Sequence, residues 1–350
     1  MKKPLNYFIT SILLFHAVVF VDCSPKSGQF IPGTIPDGKY DSEFPSRNSS
    51  DYLEKLADPV RMLNSIAYYE GYAFLKEDRV TLADIYTGQY EQKFDTTITF
   101  HNTTSGTATI IYSRSKKIAI LTSAHIVDHP DTLFTYYKGE DNETLQYLES
   151  FAIKKMQRNV LIGVSEANDI KILAFDRDLD LAVLGKQLTK LPDPQISAFN
   201  FTLGSAKELN WGTFVYLIGY PKGLKMITRG IVSSPDRDKK HSFLIDALFN
   251  RGFSGGIVIA VRDGVPNFEL VGMVNTVSAS FKYILVPEGP DGASEFIPKI
   301  PYKGNIYVEN QQEIDYGITY GISIEVVQEF LNEYKDKFEY LGYNFFYFFR

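Results

Sequence analysis

The sequence predicts an all-β protein, a sandwich or a barrel, on three observations. Short apolar and β-branched runs follow one another, separated by turn signals. The chain carries 26 Phe and 23 Tyr, an aromatic load that suits strands better than helices. Its apolar fraction of 44% supports a real core. At 350 residues there is room for one large or two ordinary domains. A formal net charge of −6 with no long basic run gives no footing for nucleic-acid binding.

The chain opens with Lys2 and Lys3 and an apolar run from Phe8 to Val21, which reads as an export signal over residues 1–23. The run is short for a membrane span. The only cysteine, Cys23, follows it, so no disulfide can form within the chain. Cys23 is placed as in a bacterial lipobox, although Asp22 stands where a small residue is usual. Lipid attachment at Cys23 and plain secretion both remain open, with a bacterial envelope location or secretion expected. The sequons at Asn48, Asn102, Asn142 and Asn200 then read as chance.

Residues 24–50, rich in Pro, Gly and Ser, read as a flexible tether. Residues 51–82 read as a helical N-terminal segment. Leu53, Leu56, Ala57, Val60, Leu63 and Ile66 keep approximate helical spacing, and Asp51 suits an N-cap. From about residue 83 to 335 the pattern is strands, expected at 96–100, 106–112, 118–122, 159–164, 170–175, 181–184, 213–219, 227–232, 243–246, 256–261 and 269–274. Residues 281–315, with Pro287, Pro290, Pro298 and Pro301, read as an insertion without regular structure that either borders a cleft or stays a surface loop. An amphipathic helix follows (Val326, Val327, Phe330, Leu331, Tyr334, Phe338). The aromatic tail, 336–350, should dock on the barrel or on a partner.

The chemistry centres on Gly252-Phe253-Ser254-Gly255-Gly256. A serine hydroxyl becomes a nucleophile when a base takes its proton and backbone N–H groups hold the oxyanion. Gly252 and Ser254 are the natural donors. The segment also fits the G-x-S-x-G elbow of α/β-hydrolases, but that fold needs a helix and a histidine after the serine. Here a strand-like run follows, and the five histidines, His16, His101, His125, His129 and His241, all precede Ser254. The order left is His, Asp, Ser. His125 ends the run Leu121-Thr122-Ser123-Ala124-His125, and Asp180 opens Leu181-Ala182-Val183-Leu184, which should hold it half-buried. Each has a bland reading, a strand-end histidine and a solvated acidic turn. His129 lies close behind His125, but no Cys, His or Glu cluster supports a metal site.

Together, Ser-Ala-His at 123–125, Asp180-Leu-Ala-Val-Leu and Gly252-x-Ser254-Gly-Gly resemble the trypsin-like serine proteases, most closely the HtrA, DegP-like branch. Further stretches agree: Ile218-Gly219-Tyr220-Pro221-Lys222-Gly223-Leu224, Thr228-Arg229-Gly230-Ile231-Val232-Ser233, Ile245-Asp246-Ala247 and Gly317-Ile318-Thr319-Tyr320-Gly321-Ile322. The resemblance covers roughly 96–335 and no PDZ domain follows it. It implies two six-stranded antiparallel β-barrels with a catalytic triad of His125, Asp180 and Ser254 between them. It also implies an oxyanion hole at Gly252 and Ser254, protein or peptide substrates, and no cofactor or metal. Phe253 and Arg251 stand where the family usually has Asn and Pro, which favours a rival reading, a catalytically silent binding module on the same fold. An envelope adhesin using the insertion and tail is a third reading. The pocket for the residue before the scissile bond would be walled by Ala247, Leu248, Phe249, Asn275 and Thr276. Leu248 would supply no countercharge for Lys or Arg there, so an aliphatic preference is expected. The resemblance leaves the oligomeric state open.

Overall fold

The strand Val60–Phe74 fixes the first half of the molecule. Its buried residues alternate, with Leu63, Ser65, Ala67 and Tyr69 all turned inward. That is the period of two of a pleated strand rather than the helical period expected here. The computed structural model describes residues 36–45, 47–139, 143–190, 196–235, 242–248, 250–287 and 306–349. Gly38–Arg350 is one unit, and only 36 and 37 are described ahead of it. The predicted export signal and Cys23 lie outside the described residues.

In chain order the elements are α1 (Ser50–Ala57), β1 (Val60–Phe74), α2 (Leu82–Thr87), β2 (Phe94–Arg114), β3 (Lys117–Thr122), α3 (Ala124–Val127), β4 (Thr132–Lys138), β5 (Thr144–Leu161), β6 (Lys171–Asp176) and β7 (Leu181–Gln187). Then come β8 (Phe214–Gly219), β9 (Met226–Ser234), β10 (Phe243–Ala247), β11 (Ile257–Val261), β12 (Phe268–Pro287), β13 (Ile306–Ser323), α4 (Ile324–Glu333) and α5 (Lys335–Tyr340). The first seven strands form one sheet in the order β4-β5-β1-β2-β3-β7-β6, and the last six close a barrel in the order β10-β13-β12-β11-β8-β9. The all-β class therefore holds and the second unit is the expected six-stranded barrel. The first is corrected from a closed six-stranded barrel to a curled seven-stranded sheet.

The seventh strand is β1, and it overturns the helical reading of 51–82. Helix is confined to α1 and the short α2, and β1 pairs antiparallel with β2 on one side and β5 on the other. Helical spacing in 53–66 is genuine over α1 but coincidental beyond it. Two-sided strand pairing outweighs a weak local preference. The strand domain accordingly begins near Val60 rather than 83.

The tether reading is also corrected at its C-terminal end. Tyr40 is buried, and its hydroxyl donates to Glu269 at 2.8 Å. Asp41 donates its N–H to Val261 and accepts from Phe214, at 2.9 and 2.8 Å. Arg262 stacks on the Tyr40 ring and pairs with Glu269, so this segment is sewn to the second barrel. The described ends of the supposed insertion, 281–287 and 306–315, form a hairpin arm, β12 to Pro287 pairing with β13 from Ile306 in continuous register. Residues 288–305 lie outside the described set. The prolines that suggested irregularity at 290, 298 and 301 fall there, while Pro287 ends β12.

The aromatic tail docks on its own chain. After α4, capped by Ser323 Oγ accepting from Val326 N–H, and α5, the residues Tyr343, Phe345 and Phe348 are buried. Phe348 is only 1% exposed. With Ile111 and Leu121 of the first sheet, Ile257 and Met273 of the barrel, and Val327 of α4, it belongs to one core cluster and lines one small internal cavity. Its ring therefore belongs to a core shared by both β-units, which includes Ile257, Ile259 and Val261 of the strand that follows Ser254. Phe348→Ala is expected to lower unfolding free energy by about 3–5 kcal/mol, the usual cost of emptying a buried phenylalanine site. Chemical denaturation checks this, and a loss below about 1 kcal/mol would show that the core closes without the ring.

Candidate active site

The β3–β7 pairing positions the histidine and the acid. Thr122 stands opposite Ala182, so the residues just beyond Thr122 meet those just before Leu181. Leu181, Ala182, Val183 and Leu184 are fully buried, which anchors Asp180 at the end of a rigid strand. Ala124 N–H donates to the Asp180 carbonyl at 3.1 Å. The His125 N–H donates to Asp180 Oδ1 at 2.8 Å, and His125 Nδ1 lies 2.8 Å from Asp180 Oδ2. Asp180 takes a left-handed φ of 54°, a conformation that Asp tolerates better than most residues. The His125 side chain is 45% exposed and that of Asp180 16%, so the acid is shielded while the imidazole is open to solvent.

A second clamp holds this pair. Arg177 donates to both Asp128 carboxylate oxygens at 2.6 and 2.8 Å, joining the turn before Asp180 to the residue after α3. The Arg177 guanidinium holds the Asp128 carboxyl below its usual range. Asp176 Oδ1 accepts the Leu179 N–H at 2.8 Å and shapes the same turn. His129 belongs to this scaffold rather than to a metal site. It is buried, its Nε2 is 3.0 Å from Ser65 Oγ, and burial pushes its pKa down. Gln157 bonds both Ser65 and the Val127 carbonyl, tying the end of α3 to β5. Among the described residues no cluster of metal-ligating side chains forms.

The serine loop is held chiefly by Thr107, a fully buried residue of β2. Its N–H donates to the Ser254 carbonyl at 2.8 Å, and its hydroxyl donates to the Gly252 carbonyl at 2.6 Å. The hydroxyl also accepts from Tyr220 N–H, and the Thr107 carbonyl accepts from Thr122 Oγ1. The Arg251 carbonyl accepts from Lys222 N–H at 3.0 Å and that of Phe253 from Gly256 N–H at 2.8 Å. Every carbonyl from Arg251 to Ser254 is thus engaged. The Phe253 N–H donates to Asn250. The N–H groups of Gly252 and Ser254 have no acceptor among the described residues.

Two glycines make this loop possible. Gly252 has φ 107° and Gly255 φ 83°, and a Cβ on Gly255 would sit on the Thr107 carbonyl. Phe253, 1% exposed, turns into the second barrel's core beside Val215, Val258 and Val274. The bulky residue that departs from the family pattern is therefore absorbed inward.

The structure joins His125 to Asp180 directly and brings Ser254 beside α3 through Gly106. A Cβ on Gly106 would meet both Ile126 and the Ser254 carbonyl. It does not join Ser254 Oγ to His125, since among the described residues that hydroxyl has no hydrogen-bond partner. Such contacts often tighten only when substrate is bound.

Leu248 is 72% exposed, and Ala247 packs in the barrel core with its carbonyl 3.5 Å from Thr319 Oγ1. Along β10 Phe243, Leu244, Ile245 and Ala247 are buried, and Leu248 follows the strand's end. Phe249 lies outside the described residues. Asn275 and Thr276 line a cavity of about 190 Å³ with Asp178, Leu179, Tyr320 and Val326, next to the turn that carries Asp180. Sequence reasoning missed Thr107, Arg177 and Asp128. Thr107 sits in an ordinary strand and offers no local signal.

Residues 106–273 match the family model described as a trypsin-like peptidase domain. No curated protein matches the chain. Among solved structures, it is similar to an HtrA-type protease, AlgW, with a tripeptide, at 17% identity and a TM-score of 0.41, covering 82% of this chain and 64% of that one. It is also similar to a serine endoprotease from Yersinia pestis, at 17% identity and a TM-score of 0.39, covering 83% and 67%. A third, Deg5, has 18% identity and a TM-score of 0.38, covering 65% of this chain and 84% of that one. The chain thus spans just under two thirds of the AlgW structure.

Proposed function

Residues 106–273 form a trypsin-like peptidase domain, and from that premise we propose that this protein is a serine endopeptidase working through an acyl-enzyme. The observation that carries it is the pairing of His125 with Asp180 beside a serine loop whose spare N–H groups are those of Gly252 and Ser254. In this reading Ser254 Oγ attacks the scissile carbonyl as His125 Nε2 takes its proton. The N–H groups of Gly252 and Ser254 hold the oxyanion. The tetrahedral species expels the amine, which takes the proton back from Nε2. Water, deprotonated by the same nitrogen, then attacks the acyl carbonyl, and the Ser254 Oγ bond breaks as Oγ takes that proton back and the acid leaves. Asp180 fixes the Nδ1–H tautomer and stabilises the imidazolium. Protein or peptide chains are the substrates.

The rival, a silent binding module, draws on one observation, the missing hydrogen bond between Ser254 and His125. A fluorophosphonate probe separates the two: stoichiometric labelling of Ser254 is expected, and labelling absent or equal in Ser254→Ala would overturn the hydrolase. We further propose that the chain is exported to a bacterial envelope by residues 1–23 and anchored by lipid at Cys23. Cys23→Ala is then expected to move the protein from the detergent-soluble membrane fraction to the soluble one. Unchanged fractionation would leave plain secretion.

A further inference from the structure

The turn between β8 and β9 is fastened to the serine loop. Tyr220 N–H donates to Thr107 Oγ1, and Lys222 N–H donates to the Arg251 carbonyl. A Cβ on Gly252 would lie 2.5 Å from the Tyr220 carbonyl oxygen and 3.2 Å from the Lys222 nitrogen. Tyr220, Pro221 and Lys222 therefore cover one of the two candidate oxyanion donors. Lys222 holds a left-handed φ of 51° and Gly223 follows at 79°. A lysine enters that region at some cost, so the sharp turn is imposed by its surroundings.

Cations collect around this turn. Lys225 Nζ donates to the Ala57 carbonyl at 2.7 Å and lies 5.9 Å from the centre of the Tyr220 ring. Arg61, at the start of β1, donates to the Asp58 and Val60 carbonyls and pairs with the Asp58 carboxylate at 3.8 Å. Its positive charge reaches both the Tyr220 hydroxyl and Lys225. Burial first, and Arg61 second, push the Lys225 pKa down, against a pull upward from Asp58. Lys222 is exposed and has no ion pair among the described residues. Asp58 is the only carboxylate paired with any of these three cations among the described residues. On a chain of net charge −6, this is a local reversal of sign.

We propose that Lys222, backed by Lys225 and Arg61, forms a subsite that selects substrates carrying Asp or Glu within about three residues of the cleaved bond; the proposal rests on the hydrolase reading. The contact of Lys222 with Gly252 and Arg251 carries it. In that reading the scissile carbonyl oxygen lies at the Gly252 N–H, so the substrate backbone must pass this turn. A lysine ammonium is a mobile point charge on a flexible stem, not a rigid fork. It follows a carboxylate at several neighbouring positions, and the preference is for negative charge nearby rather than for one residue at one place. The cluster also lacks what an acid would bring. Like charges held together beside a partly desolvated lysine are relieved by an arriving anion and worsened by an arriving cation. Nucleic acid is a poor match, because the chain has no long basic run.

The test uses peptides acetylated and amidated at their ends, so that only side chains carry charge. One cleavable sequence is held constant. A single Glu, Gln or Lys is moved through about three positions on each side of the cleaved bond. At one or more of these positions kcat/KM is expected to be about threefold to tenfold higher with Glu than with Gln, and lower with Lys. The gain should shrink as salt rises from about 20 to about 500 mM. Lys222→Gln should bring the Glu-to-Gln ratio toward one, and Lys222→Glu should make the Lys peptide the better substrate. Equal rates with Glu, Gln and Lys at every position overturn the proposal. So does a ratio that Lys222→Gln leaves unchanged, since Lys222 would then only shape the turn. Fluorescence anisotropy of the same peptides on Ser254→Ala needs no turnover and keeps the two readings apart. Tighter binding of the Glu peptide with no cleavage by the parent overturns hydrolysis and retains the subsite. Cleavage indifferent to charge does the reverse.

Discussion

Ser254→Ala is expected to lower kcat on a peptide substrate by roughly 10⁴-fold or more, a loss of about 5.5 kcal/mol of transition-state stabilisation. His125→Ala should cost about the same, and the double variant little more than either, because the two act as one proton-transfer unit. Folding should be unaffected by either. The Ser254 side chain has no hydrogen bond to lose among the described residues, and the loop is held by its backbone through Thr107. His125 is half exposed, and among the described residues its ring bonds only Asp180. Casein or peptide turnover, read beside a thermal melt, checks both halves. Turnover by Ser254→Ala at the parent's rate would sink the nucleophile assignment, and full additivity of the two losses would sink the shared unit.

The same residues show what a sequence can and cannot disclose. His125, Asp180 and Ser254 each sit in a short motif whose chemistry is local, so they could be picked out before any fold was known. The second barrel was legible for the same reason. Its strands β8, β10 and β11 are short, apolar and separated by turns. Thr107 was illegible. Its role comes from β2 passing under a loop far along the chain, and a threonine in a β-rich run is unremarkable until that crossing exists. Arg177 and Asp128 failed likewise, since a charged turn and a charged helix end pair only once β3 and β7 align. β1 was misread because its apolar residues satisfy two periods over the first turns and only the two flanking strands choose between them. Tyr40 lay in a stretch rich in turn formers, where one aromatic carries no period.

Asp180→Asn is expected to cost about 10⁴-fold in kcat with the fold intact. The two carboxylate oxygens have separate tasks. Oδ1 accepts the His125 backbone N–H, and Oδ2 faces Nδ1, both at 2.8 Å. A backbone N–H can only donate, so the amide oxygen of asparagine must take the Oδ1 position. That leaves the NH₂ group facing Nδ1. Nδ1 must then present its lone pair, and the ring proton moves to Nε2. An imidazole with Nε2 protonated cannot accept the Ser254 proton, so the base is lost although every heavy atom keeps its place. The left-handed φ of 54° at this position is tolerated by Asn as well as Asp, so the backbone carries no added strain. Buried Leu181 to Leu184 continue to anchor the turn. The measurement is kcat together with the melting temperature and fluorophosphonate labelling of Ser254. A large fall in kcat and in labelling rate at an unchanged melting temperature supports the tautomer argument. A fall of less than about tenfold would mean that His125 is oriented by something other than Asp180, and an equal fall in stability would reduce Asp180 to a structural role.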